Sequence, residues 1–595
     1  MSKKRTLVKN LKSILNTIQK PARYIGGEIN SVIKEHKTGR VSIALAYPDI
    51  YEVGMSYLGL KILYHMLNDR PDVVCERFFA PELDMEQALI NHGEKLFSLE
   101  TKKPIYQFDI VGFSLSYELT FVNVLNMMQL SGITLLNSER KEDEPLIIAG
   151  GSCAFNPEPM SDFIDVFFIG DAEETLNEFL DEYMRLKGVT RNRKELLLKL
   201  SRLKGIYIPS LYSAKYETGY FAGLSPIAGI EGAPKFIEKG LVKDLNSAYY
   251  PVKQIIPFIN IVHDRIAVEV MRGCPNMCRF CQAGMINYPV RLRKPDTVRE
   301  ICQRSYEHTG EEQISLLSLS SINYPYLTDL VKNLNQDFNG LGVGISIPSL
   351  RIDEKFYSLP EVISAIRKAG LTFAPESASD AIRVALKKDI SMDVLHSSVT
   401  AAYKHGWQRV KLYFMVGFPA LNNNGEDEVE SIIALANKIS FLKKSVSNSS
   451  AEVKVSVNPF IPKPHTPLQW FGMEEPDILE TKRHRFKESG SKKVSFDFHD
   501  IRKSMLEAAF ARGDRRLGKV IHSAVSRGVK TSGSEEYFDF PLWEDIFDKE
   551  GFSIKKLATH DYPITTPLPW DHISSGVTKE YLASEFLKSG FTQNI

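Results

Sequence analysis

Several things are scarce or missing in this 595-residue chain, and each narrows what it can be. No apolar run approaches the ~18 residues that a membrane span needs, so no membrane role is expected. No sign of charge dominates: 74 Lys and Arg against 73 Asp and Glu leave a net +1. No global field therefore points to nucleic acid or a lipid surface. Cysteine is rare, six in all, and three of those six lie within eight residues. That is no disulfide framework for a chain this long, and it predicts a reducing, cytoplasmic compartment. The basic start, Met1-Ser-Lys-Lys-Arg, is not followed by an apolar signal core. Instead Leu7, Leu11, Ile14, Leu15 and Ile18 fall on one face of a short helix within residues 1–20. Apolar content of 43% and charged content of 25% are ordinary for a soluble globular protein of several domains.

The three crowded cysteines, Cys274, Cys278 and Cys281, stand in Met271-Arg-Gly-Cys-Pro-Asn-Met-Cys-Arg-Phe-Cys-Gln-Ala-Gly284. The apolar run before them reads as a buried strand over 266–271, ended by a turn at Gly273 and Pro275. The thiols thus sit on a loop at the C-terminal end of a strand, where α/β folds carry their sites. A structural zinc site closes with four protein ligands, and no nearby cysteine or histidine completes this set. Three soft donors fit an iron–sulfur cluster with one open iron, or a zinc-stabilised or redox-sensing loop.

The spacing Cys-x3-Cys-x2-Cys, with Phe280 directly before the last cysteine, resembles the signature of the radical S-adenosylmethionine (SAM) superfamily. The resemblance implies a [4Fe–4S] cluster on Cys274, Cys278 and Cys281, with SAM chelating the open iron. It also implies an enzyme that cleaves SAM reductively to a 5′-deoxyadenosyl radical, fed by a reductant such as flavodoxin or ferredoxin.

The fold class expected is α/β throughout. Upstream, short strands (41–46, 109–114, 146–149, 166–169) alternate with helical patterns, which argues for a doubly wound parallel sheet over 21–185. This half resembles the cobalamin-binding Rossmann-like domain. Its motif is altered: Asp49-Ile-Tyr-Glu-Val-Gly54 carries Tyr51 where the family's cobalt-ligating histidine stands, although Ser114-Leu-Ser116 and Gly150-Gly151 follow. Cobalamin without a protein axial ligand, or a domain that kept the fold and lost the cofactor, both stay open. Residues 186–250 read as a linker or insertion.

Over 251–480 six strand–helix units are expected, with strands at 266–271, 313–319, 343–347, 371–374, 409–416 and 452–457. They resemble the partial (β/α)6 TIM-type barrel of radical SAM enzymes. On that resemblance Ser318 to Ser321, Ser320 among them, supply backbone to SAM. Glu376 and Ser377 contact it, Arg383 pairs with its carboxylate, and Gly417 turns the chain beside the adenine. Ser346, Ser349 and Arg351 are further polar residues at a strand end. Four prolines in 458–470 predict a rigid segment presenting Lys463, His465 and Gln469 at the barrel mouth.

A C-terminal α+β extension over 481–595 carries Arg512, Arg515, Arg516 and Lys519, which form either a phosphate patch or pairs with acidic neighbours such as Asp514 and Glu507. It ends on Pro569-Trp-Asp-His572, expected to dock. The whole order resembles a radical SAM subfamily with a cobalamin-binding-like N-terminal domain. The substrate expected is RNA, protein or another molecule. A cobalamin-dependent methyltransferase and a non-catalytic iron–sulfur sensor or RNA-binding factor are the other classes.

Overall fold

The computed structural model describes residues 10–348, 371–388, 390–421, 426–530 and 537–593. Ser349 and Arg351 lie outside them. Six strands build the first sheet: β1 (Val41–Tyr47), β2 (Val73–Phe79), β3 (Ile110–Ser114), β4 (Leu146–Gly150), β5 (Val166–Phe168) and β6 (Ile206–Tyr207). Their order is β2-β1-β3-β4-β5-β6. The first five run parallel, and β6 closes the edge antiparallel to β5. β1 and β2 are almost wholly buried, as strands covered by helices on both faces should be. A switch point lies where the chain leaves β1 for β2 on one side and β3 on the other.

β2 is the strand the periodicity hides. Its sequence Val-Val-Cys-Glu-Arg-Phe-Phe breaks the apolar run with Glu76 and Arg77, yet both are buried. Arg77 donates to Glu100 at 2.7 Å and Glu28 at 2.8 Å. Glu76 accepts from Ser98 and Thr101 and lies 2.6 Å from His36. Matched partners make the charges tolerable inside.

A hairpin, β7 (Tyr212–Glu217) with β8 (Tyr220–Pro226), and the short β9 (Ile237–Glu238) lead on. β10 (Ile266–Glu269) runs into β11 (Met271–Arg272), which pairs antiparallel with β12 (Arg291–Leu292). The cysteine loop is therefore the arch between β11 and β12. β13 (Gln313–Leu317) and β14 (Gly344–Ser346) join β10 in a parallel three-stranded sheet.

A second parallel sheet takes β15 (Leu371–Glu376), β16 (Arg409–Val416), β17 (Glu452–Pro459) and β18 (Val494–Phe498) in that order. Among the described residues these are two separate sheets rather than one continuous barrel wall. The six expected strands all form, and β18 adds a seventh beyond residue 480, pairing parallel with β17. Near the C-terminus, β19 (Ile573–Ser574) pairs with β9, and Trp570 is buried, its indole donating to Gln469 at 2.7 Å. The terminal segment docks as expected. Among the described residues no helix is long and apolar enough to cross a membrane.

Candidate active site

The arch is pinned at its base by one glycine turn and an ion cluster. Gly273 has φ +84, and a Cβ there would meet the carbonyls of Asn287 and Pro289 at 2.7 and 2.9 Å. Only glycine lets the loop leave the strand so tightly. Beside it Arg272 reaches Glu269 at 2.8 Å, Glu173 at 2.7 Å and Asp171 at 3.1 Å. Asp171 and Glu173 belong to the N-terminal domain, so the strand that feeds the cysteines is clamped to it.

Cys274 and Cys278 are buried and Cys281 half-buried. Cys281 starts the helix Gln282–Ile286, and its Sγ accepts from the Gly284 amide at 3.3 Å. Burial pushes its thiol up to about 11. The Gly284 amide and Lys388 act against that, whereas Cys278 and Cys274 add to it. The three thiols thus feel one another. Among the described residues no three His, Cys, Asp or Glu side chains are set to hold a single metal ion. A [4Fe–4S] cluster asks for something else, three soft donors on one loop, each to its own iron. The donor chemistry here is of that kind.

Asn276 Nδ2 donates to Cys274 Sγ at 3.2 Å and to Asn323 Oδ1 at 3.1 Å, and Asn323 Oδ1 also accepts from Ser320 at 2.7 Å. Ser320 is therefore linked to the arch through two asparagines. Phe280 packs with Met277 and Phe418 against the cluster around Phe460 and Trp470. On the far side Arg279 donates to the Ala385 carbonyl at 2.7 Å, and its amide to Leu386 at 3.0 Å.

Glu376 ends β15, where the pairing with β16 shifts register, and it takes φ +69. Left-handed backbone at a glutamate is strained, a feature that gathers at functional sites. Its carboxylate meets Lys388 at 3.1 Å, and burial pushes its pKa up. Ser377 is buried behind it and accepts from the Ser379 amide.

Arg383 does something other than expected. Its guanidinium donates to the carbonyls of Ser377, Ala378 and Ile390 at 2.9, 2.9 and 3.0 Å and pairs with Asp380. It braces the loop that carries Glu376 instead of standing open to a carboxylate. Lys388 is the cation on the Glu376 side, and the sequence alone had not marked it. Gly417 sits at φ +79, its amide donates to Glu428 at 3.2 Å, and a Cβ would meet Glu474 at 2.9 Å.

The proline-rich segment is also differently employed. Lys463 lies 2.7 Å from Glu118 and 2.8 Å from Glu507. Burial lowers its pKa, but the two carboxylates more than offset this and hold it charged. The His465 ring bonds the Phe155 carbonyl at 2.8 Å, and burial drops its pKa to about 4, so it is neutral. These residues tie the proline-rich segment after β17 to the N-terminal domain and the C-terminal extension. Pro464 accepts from Gln282, next to Cys281, so the tie passes beside the cysteines.

Nor is the Arg512 group a phosphate patch. Arg512 donates to the carbonyls of Leu557, Ala558 and His560, Arg515 to Glu158, and Arg516 to Asp514 and Gly219. The partners of Arg512 and Arg515 lie far off in sequence, whereas Asp514 is two residues from Arg516.

A cavity of about 650 Å³ opens where the two halves meet. Ser114, Gly150 and Gly151 at the first sheet's strand ends line one side, and Met271, Gly273 and Leu317 the other. Tyr51 is not part of that lining. It is buried, and its hydroxyl donates to Glu28 at 2.9 Å inside the Arg77 network. Gly151 has its own structural reason, since a Cβ there would lie 2.5 Å from the Leu115 carbonyl.

Fold and site thus define a two-part α/β protein with a three-thiol loop beside an inter-domain cavity. Residues 268–436 match the radical SAM superfamily, and residues 59–209 match the family described as radical SAM proteins, N-terminal. The chain belongs to the radical SAM superfamily and is an enzyme of that family. A [4Fe–4S] cluster and SAM are that family's cofactors. The Methanocaldococcus jannaschii protein MJ0966, described as uncharacterized, is 27% identical over 483 residues, covering 81% of this chain and 90% of its own. Among solved structures, the radical SAM methyltransferase TsrM from Kitasatospora setae, with cobalamin and a [4Fe–4S] cluster bound, is similar in fold. Its TM-score is 0.50 at 12% identity, over 72% of this chain and 77% of that one.

Proposed function

We propose that this enzyme binds its cluster through Cys274, Cys278 and Cys281 and seats a cobalamin-class cofactor in the inter-domain cavity. The reaction proposed is methyl transfer to a carbon of a small or peptide substrate. The observation that carries this is the cavity itself, bounded by the strand ends of the Rossmann-like sheet and by the strand that feeds the cysteines. Its volume of about 650 Å³ falls in the ~300–1,000 Å³ range of small-molecule sites. Reduced, the cluster supplies the electron that cleaves SAM, and cobalamin supplies a methyl carrier.

The chain's own residues bind and orient. Among the described residues no histidine lines the cavity, and Tyr51 is held by Glu28, so the residues there would offer a cobalamin no imidazole ligand. Glu376 and Ser377, braced by Arg383, are proposed to receive the amino-acid end of SAM, with Ser320 and the Gly417 turn flanking it. Nucleic acid is no longer favoured as substrate, because the arginines that suggested it are paired internally.

The test is anaerobic reconstitution with iron and sulfide, then SAM and dithionite, with 5′-deoxyadenosine and S-adenosylhomocysteine measured with and without hydroxocobalamin. S-adenosylhomocysteine that depends on cobalamin supports methyl transfer. Formation of 5′-deoxyadenosine alone, whatever the cobalamin, would replace it with a cobalamin-free radical reaction.

A further inference from the structure

Among the described residues, four of the cations around the arch lie on its Glu376 side, and three of these pair with other carboxylates. Arg279 and Lys387 both face Glu585, at 3.2 and 3.7 Å, and Arg383 faces Asp380. The fourth, Lys388, pairs with Glu376 at 3.1 Å, and both side chains are nearly buried, at 14% and 13% exposure. Their location is fixed from two directions. The Lys388 amide bonds the Arg383 carbonyl at 2.9 Å, and the Arg279 amide, between Cys278 and Cys281, bonds Leu386 at 3.0 Å. Lys388 therefore rides on the same short segment that holds the cysteine arch, and Glu376 meets it from the end of β15. Glu376 is also kept in left-handed backbone, which a pair with only a packing role would not require.

Opposite charges side by side in a poorly solvated place nearly cancel at a distance, and removing either exposes the other. A cluster gains negative charge on reduction, so a nearby uncompensated cation favours the reduced state and an uncompensated carboxylate opposes it. The geometry points to the Glu376–Lys388 pair as a charge regulator of the cluster. Glu376 masks Lys388 in the free enzyme, and a ligand ammonium that engages Glu376 unmasks it and makes electron entry easier. Lys388 is then a positioning residue acting through electrostatics rather than a group that touches the reacting atoms. This rests on the reading of the three cysteines as the cluster's ligands.

The experiment uses full-length enzyme, reconstituted anaerobically and checked for iron and sulfide content, without SAM in the first series. The cluster's midpoint potential is measured by spectroelectrochemical titration for wild type, E376Q, K388M and the double variant. E376Q should shift the potential upward and K388M downward, and the double variant should return close to wild type. K388R should restore the wild-type value. In a second series SAM should raise the potential of wild type and do much less in E376Q. Unchanged potentials in both single variants, or shifts in the same direction, overturn the proposal. Failure of wild type to load any cluster would overturn the ligand reading instead, so the two failures are distinguishable. A variant that loads poorly is replaced by E376A or K388A at the same position, and the order of potentials must hold.

Discussion

Two of the buried carboxylate–cation networks among the described residues differ in finish. In the N-terminal domain Arg77 is fully enclosed, with Glu28 and Glu100 on its nitrogens, Tyr51 on Glu28, and the Tyr64 ring 5.1 Å from the guanidinium. Burial pushes the Glu28 carboxyl up, and Arg77 more than offsets it. By the cysteine arch, Glu376 and Lys388 make one contact in strained backbone, and burial leaves the Glu376 carboxyl raised. The first network is complete and holds a strand in place. The second has capacity left over. A finished network is architecture, and an unfinished one beside a cofactor loop is where a ligand can act.

That contrast can be broken or sharpened by substitution. The largest effect belongs to the arch: C278A should abolish the brown absorbance of the reconstituted cluster, and an unchanged spectrum would mean the ligands lie elsewhere. Next comes the finished network. R77M leaves Glu28 and Glu100 buried without their cation and should lower unfolding free energy by about 3–5 kcal/mol in denaturant titration. K388M strands the less deeply buried Glu376 and should lower it less, by about 1–3 kcal/mol. Equal losses would erase the distinction.

A third prediction concerns the tie between the two regions. His465 is neutral and bonded to Phe155, with a folded pKa of about 4 against an ordinary 6.5. Between those values the unfolded chain binds more protons than the folded one, so this contribution to stability falls as pH drops from about 6.5 toward 4 and is level above 6.5. H465Q should flatten that part of the pH–stability curve. The smallest effect is Y51F, which removes one hydrogen bond to Glu28 and should lower stability by about 0.5–1.5 kcal/mol. Cobalamin binding should be the same in Y51F as in wild type, since Tyr51 does not line the cavity.

Local signals carried the cysteine arch and the strand ahead of it, because donors, glycine turn and apolar run are contiguous in the chain. Four of the six strands of the first sheet sit in segments that read as strands and β6 lies in the stretch read as a linker or insertion, whereas β2 escaped because Glu76 and Arg77 interrupt its pattern and only tertiary partners explain their burial. The same cause misassigned the cations. Arg512 and Arg515 resemble a surface patch until residues 557–560 and Glu158 arrive from distant segments. Arg383 and Lys388 lie on one short stretch, and nothing in their spacing tells which faces the backbone carbonyls and which faces Glu376. Gly150 and Gly151 were legible as a strand-end turn, and the Leu115 contact shows what Gly151 is needed for.

The most direct test of the account is the cobalt coordination of the bound cofactor. Enzyme loaded with hydroxocobalamin, passed through gel filtration and reduced to the Co(II) state should retain about one cobalamin per chain. Its electron paramagnetic resonance spectrum should lack the superhyperfine splitting of a nitrogen axial ligand. No retained cobalamin, or a spectrum split by a protein nitrogen, would contradict the cavity and its lack of a histidine ligand.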